Sequence, residues 1–280
     1  MPSSELTMAT TRPVTNESIA RAWRAVAFEE HAFVRAETNS PSGVDRGFMV
    51  VLASLPTRRV YLKPTVLDSN PGNARAAREK IASDLAFDLG VSVPPVVLTT
   101  RRDAPRQHEP HVALSLVKHT WQYHWGQIKD DLNGDHEFGI AMRKGLAEAV
   151  AKVVAFNNWV CQTDHNDHPS NIAFGMDREP ALNSWVFLDY AMALGWGGLW
   201  DQGGWESLGV MNFPARLLPH IGAAQLDATL RRIEEYDAER IRQLVERIPG
   251  THLAHEEGQK IINGLVRRRP LVRQLVAQYL

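Results

Sequence analysis

The chain has 280 residues, 44% of them hydrophobic and 22% charged, with eight Trp and a formal net charge of −1. That length suits one large domain or a two-lobed one, because single cores stop growing near ~250–300 residues, and the composition is that of an ordinary globular protein. The near-neutral charge excludes a strong general attraction for nucleic acid or anionic membrane. A lone Cys161 excludes an internal disulfide and a multi-cysteine zinc site.

In chain order, the polar opening MPSSELTMATTRPVTNES lacks the apolar centre of a signal peptide, and no run of about 18 apolar residues follows to cross a bilayer. Residues 1–27 are therefore expected to be an N-terminal arm with a short helix at Ser18–Arg24, and the protein to be cytoplasmic, in keeping with its single cysteine. Phe28 to Thr38 alternates loosely and ends in the polar turn Asn39–Gly43. Gly47–Ala53 and Arg59–Pro64 then read as an antiparallel strand pair. Ser42 and Gly43 would let backbone amides approach a phosphate closely. An ordinary hairpin turn is the better reading of that loop taken alone.

Lys63 ends a strand otherwise made of Val, Tyr and Leu, where a solvated strand-end lysine is the plain interpretation. The next segment argues otherwise. Asn73–Leu89 is predicted to be a helix whose buried face carries Ile81, Ala82, Leu85, Ala86 and Leu89, with Gly90 as its C-cap. Glu79 lies at the edge of that face and can point back to Lys63. A strand lysine paired with a glutamate on the next helix is the device by which kinases fix a lysine for nucleotide phosphates. A further strand is predicted to start at Val91, and Thr99–Pro110 reads as an exposed basic loop. His111–Val117 is an apolar strand, both a core element and the place, with Leu116, where a two-lobed kinase would offer backbone groups to adenine.

Lys118–Gly139 is irregular and rich in Trp, His and Asp, and its aromatic residues, Trp121, Tyr123 and Trp125, read as packing. Ile140–Asn158 is predicted to be one helix, presenting the polar segment after it from a rigid support. That segment, Asp164-His165-Asn166-Asp167-His168-Pro169-Ser170-Asn171, sits among apolar residues and is followed by the strand Trp185–Leu188 and Asp189. Magnesium prefers hard oxygen ligands, so an Asn shortly after an Asp, with a second Asp nearby, suits phosphoryl transfer. Asn171 and Asp189 are the candidate metal ligands. The glycine- and Trp-rich stretch 195–205 is either an acceptor wall or a cap on the larger lobe. Amphipathic helices are expected over Ala223–Arg247 and Glu256–Tyr279, with Arg267, Arg268 and Arg269 as a solvated helix terminus.

YLKP, EKIASDLAFDLG followed by VSVPP, HPSNIAF, LDYAMALG and the tail IPGTHLAH…GLVRRRPLVRQLV together resemble the HipA-type kinases, distant relatives of the phosphatidylinositol kinases, over roughly residues 33–280. The resemblance implies an α+β, two-lobed protein-kinase-like fold, with an antiparallel-sheet N-lobe over 28–117 and a mainly helical C-lobe over 118–280. It also implies ATP with magnesium and transfer of the γ-phosphoryl group to a hydroxyl of a protein or small molecule. Lys63 and Glu79 would serve the nucleotide, and Asn171 and Asp189 the metal.

One departure stands out. That family places its catalytic Asp five residues before the metal-binding Asn, which here is Asn166, and an amide cannot take a proton as a carboxylate does. Asp164, displaced by a two-residue bulge, is the preferred base, and Asp167 is the reserve. Loss of the base would leave a noncatalytic nucleotide- or protein-binding pseudokinase. A metal-dependent hydrolase using Asp164, His165, Asp167 and His168 around zinc or manganese is the rival from another class. It leaves Lys63, Glu79 and Asp189 without a purpose.

Overall fold

A computed structural model describes residues 16–31, 33–39, 48–53, 55–64, 74–100, 111–116, 123–165, 167–176, 184–202, 209 and 213–280. The expectations for the turn at Ser42 and Gly43, the basic loop 101–110, Trp121 and Asn166 fall outside these residues.

The N-terminal part is a five-stranded antiparallel sheet in the order β1-β2-β3-β5-β4. Its strands are β1 (Phe33–Asn39), β2 (Phe48–Leu52), β3 (Leu55–Pro64), β4 (Val96–Thr100) and β5 (His111–Leu116). Side chains alternate across a strand, and the sequence uses both faces. Val60, Leu62, Val97, Val112, Leu114 and Leu116 face one way and pack with Ile19 and Trp23 of α1 (Asn16–Ala25). Val96, Leu98 and Ala113 face the other way, onto Ile81, Ala82 and Leu85 of α2 (Arg75–Leu89). The sheet is thus filled between two helices. Lys63, one residue past Leu62, falls on the α2 side.

Gly90 ends α2 in the left-handed region at φ 70°, where a residue without Cβ is unstrained, and its N–H caps the carbonyls of Ala86 and Phe87. The strand expected from Val91 begins only at Val96. Pro94 and Pro95 have no N–H to give a ladder, and the Pro94 carbonyl instead accepts from Ser83 Oγ at 2.6 Å.

The C-terminal part is mainly helical. The single helix expected over Ile140–Asn158 is two, α4 (Glu137–Arg143) and α5 (Leu146–Val160), because Lys144 is extended and Gly145 takes φ 75°. The stretch 118–139, read as irregular, contains the two-residue strand β6 (Tyr123–His124) and the short helix α3 (Trp125–Ile128), with Trp125 packed on Trp185. β6 pairs with the hairpin of β7 (Ile172–Gly175) and β8 (Ser184–Phe187). α6 (Ala223–Glu234), α7 (Ala238–Glu246), α8 (His255–Arg268) and α9 (Val272–Ala277) close the fold around α5.

The basic run at 267–269 is not a solvated terminus throughout. Arg268 is fully buried and donates to the carbonyls of Asn158 and Trp159 at the end of α5, where a cation meets the negative pole of the helix. Among the described residues no helix is long and apolar enough to cross a membrane.

Candidate active site

The β7–β8 hairpin sets the centre of the site. Ile172 lies opposite Phe187, and Leu188 N donates to the Asn171 carbonyl at 2.7 Å, so Asn171 and Asp189 leave the same open end of the ladder. Asp189 has φ 60°, a conformation that Asp tolerates better than most side chains. Its own Oδ1 accepts from Ala191 N at 3.3 Å, the local turn that makes this backbone acceptable.

Onto this carboxylate comes Lys63 from β3, with Nζ 2.6 Å from Asp189 Oδ1 and 3.5 Å from Glu79 Oε2. Glu79 Oε2 in turn accepts from Tyr190 N at 2.6 Å, so α2, β3 and the segment after β8 meet at three charges. All three groups are largely removed from water. Burial alone would favour neutral lysine, but the two carboxylates outweigh it and raise the Lys63 pKa. Burial works against Asp189 as well, and Lys63 overcomes it and lowers that carboxyl. Glu79 is raised by burial and by the Asp189 charge beyond what Lys63 restores. The cation and the Asp189 anion are therefore the firm pair, and Glu79 completes the charge cluster.

The loop after α5 is held by amides and an imidazole. Cys161 ends the helix at φ 56°, and Gln162 donates through Nε2 to the Asp189 carbonyl at 2.5 Å while its Oε1 accepts from Thr163 N at 3.0 Å. His165 is fully buried, and burial drops its pKa to about 4, so the ring is neutral. Its Nε2–H donates to the Leu188 carbonyl at 2.9 Å, and Nδ1 accepts from Asn157 Nδ2 at 2.9 Å. Asn157 Oδ1 accepts from the Tyr190 hydroxyl at 3.0 Å. This chain of bonds ties α5, the loop and the segment around Asp189 into one unit. With both nitrogens engaged, His165 has no lone pair for a metal.

The two carboxylates of the loop differ sharply. His168 N donates to the Asp164 carbonyl at 3.0 Å, closing a turn over the intervening residues. Asp164 is 6% exposed, and its Oδ1 has no hydrogen-bond partner among the described residues. Burial, the Asp189 charge and further carboxylates push its pKa up to about 7 against Lys63. A buried carboxyl titrating near neutrality suits proton transfer at that pH. Asp167 and His168 are exposed at the surface of the turn.

Lys63, Glu79, Asp189 and Asp164 are thus brought together, with Asn171 one register position away, and Asp167 stands outside. Leu116 is buried with the sheet core, and its N–H is taken by the Pro95 carbonyl at 3.0 Å. Sequence reasoning did not assign Asn157, Gln162 or Tyr190, whereas loop-stabilising hydrogen bonds were one reading of each His in the segment, and His165 makes them. The available signal was two adjacent amides, Asn157 and Asn158, in an otherwise apolar helix, both buried in the structure. Among the described residues no three His, Cys, Asp or Glu are grouped to hold a metal unaided.

No protein-family model and no curated protein sequence matches the chain. Solved structures do. The Helicobacter pylori proinflammatory kinase CtkA is similar at a TM-score of 0.58 and 13% identity, covering 88% of this chain and 97% of its own. The fold is that of the kinases. Two looser likenesses carry no argument. WaaP in complex with acyl carrier protein has a TM-score of 0.34 at 13% identity over 94% of this chain and 93% of its own. The Rio2 kinase–ADP/Mg2+–phosphoaspartate complex from Chaetomium thermophilum has 0.37 at 11% over 95% and 76%. At these identities the likeness concerns the fold, and the chemistry rests on this chain's own residues.

Proposed function

We propose that this chain is a HipA-type kinase that transfers the γ-phosphoryl group of ATP, with magnesium, to a hydroxyl. The observation that carries the reading is Lys63, held at once by Glu79 from α2 and by Asp189 after β8. A structural salt bridge has no need of two buried carboxylates on one lysine with a third, Asp164, beside them. A divalent cation arriving with the triphosphate would give that surplus negative charge a purpose.

The residues fit such a load. Lys63 would meet the nucleotide phosphates, with Glu79 orienting it, and the oxygens of Asn171 and Asp189 are hard donors of the kind magnesium takes. Bound magnesium would neutralise charge developing on the phosphate oxygens. Asp164 would accept the proton of the acceptor hydroxyl, with the bulge closed from His168 N to the Asp164 carbonyl supplying the two extra residues. Asp167, exposed on that turn, stays the reserve. We place the lobe boundary near residue 117, with residues 1–27 as an N-terminal arm whose short helix α1 packs on the sheet, and expect Ser42, Gly43 and the backbone near Leu116 to border the nucleotide. The acceptor belongs to a protein or a small molecule, and the setting is cytoplasmic.

The test is magnesium-dependent ATP binding by calorimetry together with phosphate incorporation into candidate acceptors and into the chain itself. Transfer that Asp189→Ala abolishes supports a kinase. Tight ATP binding with no transfer to any acceptor turns the reading to a pseudokinase, and zinc or manganese bound without nucleotide affinity turns it to a hydrolase.

A further inference from the structure

α2 carries the glutamate that orients Lys63, and it is enclosed to an unusual degree. Twelve of its fifteen residues are buried, among them Arg78, Glu79, Lys80 and Asp84. Charged groups on so buried a helix must be paired, and several of their partners come from the helices that close the fold. Arg78, fully buried, pairs with Glu257 of α8. Asp84 pairs with Arg247, at the C-terminus of α7, at 2.5 Å and with Lys80 of its own helix at 3.0 Å. Asp88 accepts from Arg240 Nε at 2.9 Å and from the Tyr236 hydroxyl at 2.6 Å. Arg232 of α6 donates to the terminal carbonyls of Asp88 and Leu89 at 2.6 and 2.9 Å, capping the negative end of the helix.

These contacts are placed with respect to Glu79. At ~100° per residue, Asp84 and Asp88 lie about 140° and 180° around the helix from Glu79, and Arg78 about 100° the other way. One side of α2 therefore presents the glutamate to Lys63, and the opposite side is bolted to α6, α7 and α8. α1 adds to the bolt: Lys80 donates to the Trp23 carbonyl at 2.7 Å, and Arg247 to the Arg24 carbonyl at 3.1 Å.

We propose that α6, α7 and α8 form a built-in clamp that fixes α2 with Glu79 against Lys63. The Arg78–Glu257, Asp84–Arg247 and Asp88–Arg240/Tyr236 contacts then act as positioning residues for phosphoryl transfer. On this view the position of the glutamate helix is set within the chain, by partners that the closing helices themselves supply. Its effect on catalysis rests on the kinase reading; its effect on α2 does not.

The full chain is tested as Asp84→Asn and as the charge swap Asp88→Arg with Arg240→Asp, each alone and in a Glu79→Gln background. Amide hydrogen exchange over residues 76–86 and kcat and KM for ATP with magnesium are measured. Loosening one buried pair is expected to speed exchange over α2 and lower kcat/KM about tenfold, the equivalent of ~1.4 kcal/mol. The swap should recover both part-way relative to either single variant, since it restores the ion pair while giving up the Tyr236 bond to Asp88. In the Glu79→Gln background the further loss of kcat/KM from Asp84→Asn should shrink below about twofold, because residues acting through one group are not additive. A general loss of stability would not produce that coupling. Unchanged exchange over α2, or losses that multiply independently of Glu79, overturn the clamp. If the wild type transfers no phosphate, the kinase reading fails while exchange alone still decides the clamp. Where Asp84→Asn does not fold, Arg240→Met at the solvent edge takes its place in the same measurements.

Discussion

Asp164→Asn should make the protein more stable and less active, with the stability gain confined to one side of a pH window. The Asp164 carboxyl is pushed from an ordinary 3.8 to about 7 by burial and by the Asp189 charge. The folded state thus holds this proton more tightly than the unfolded chain does, and stability is lost as pH rises from about 4 to 7 and stays lost above that. Roughly three units at ~1.36 kcal/mol each make the loss about 4 kcal/mol between pH 4 and pH 8. Asparagine keeps the shape and cannot ionise. The variant's stability relative to wild type should therefore be up to about 4 kcal/mol more favourable at pH 8 than at pH 4. Comparing the two pH values cancels whatever hydrogen bonds the new amide makes or misses. Denaturant unfolding at both values measures this difference. Phosphate transfer should fall by about 10²–10⁴ at pH 8, the usual contribution of a positioned general base, and wild-type kcat/KM should rise with pH through about 7. A stability difference that is flat with pH would mean that Asp164 is not held protonated in the folded state. Full activity in the variant would remove it as the base.

Lys63→Met leaves Glu79 and Asp189 buried without their cation, and should cost about 3–5 kcal/mol at pH 8. The cost should shrink toward pH 5 as the carboxylates take up protons, which a melting series across pH would follow, and calorimetry should find ATP binding lost. Asn157→Leu strands the Tyr190 hydroxyl and the His165 Nδ1 that Asn157 serves. A loss of about 1–3 kcal/mol is expected for the unsatisfied groups, with a fall in kcat as the loop loosens. Gly264→Ala in α8 sets helix propensity against packing. The exchange gains up to ~1 kcal/mol of propensity, but the added Cβ would run into the Trp200 ring, and overpacking costs about 1–3 kcal/mol. Net destabilisation with altered Trp fluorescence is the expected result.

Much of the N-terminal half was readable because its signals are local. The alternation along β3 puts Lys63 on the face opposite Val60 and Leu62, and the helical spacing before Gly90 places α2 directly after that strand. Strand and helix are consecutive in the chain, so a lysine and a glutamate on facing surfaces are readily brought together. Errors arose where local signals are weak. The break between α4 and α5 turns on one left-handed glycine, Gly145, inside a pattern whose apolar spacing runs almost unbroken. Arg268, within a run of three arginines, looked solvated because nothing nearby in the sequence shows that the carbonyls ending α5 need a donor.

The site divides in the same way. The residue types around Asp164, Asn171 and Asp189 mark a polar site before any fold is drawn, since carboxylates and amides in apolar surroundings carry a desolvation cost that only partners or ligands offset. Spacing alone left Asp164 and Asp167 as rivals. The tertiary structure buries Asp164 beside Asp189 and leaves Asp167 on the outside of the turn, because His165 is pinned between Asn157 and Leu188. Likewise the sequence by itself determined that α2 has one apolar face, with Glu79 at its edge and able to reach Lys63. Only the folded chain decided what holds its other side, since Glu257, Arg247 and Arg240 lie more than 150 residues downstream and meet α2 only when the helices close.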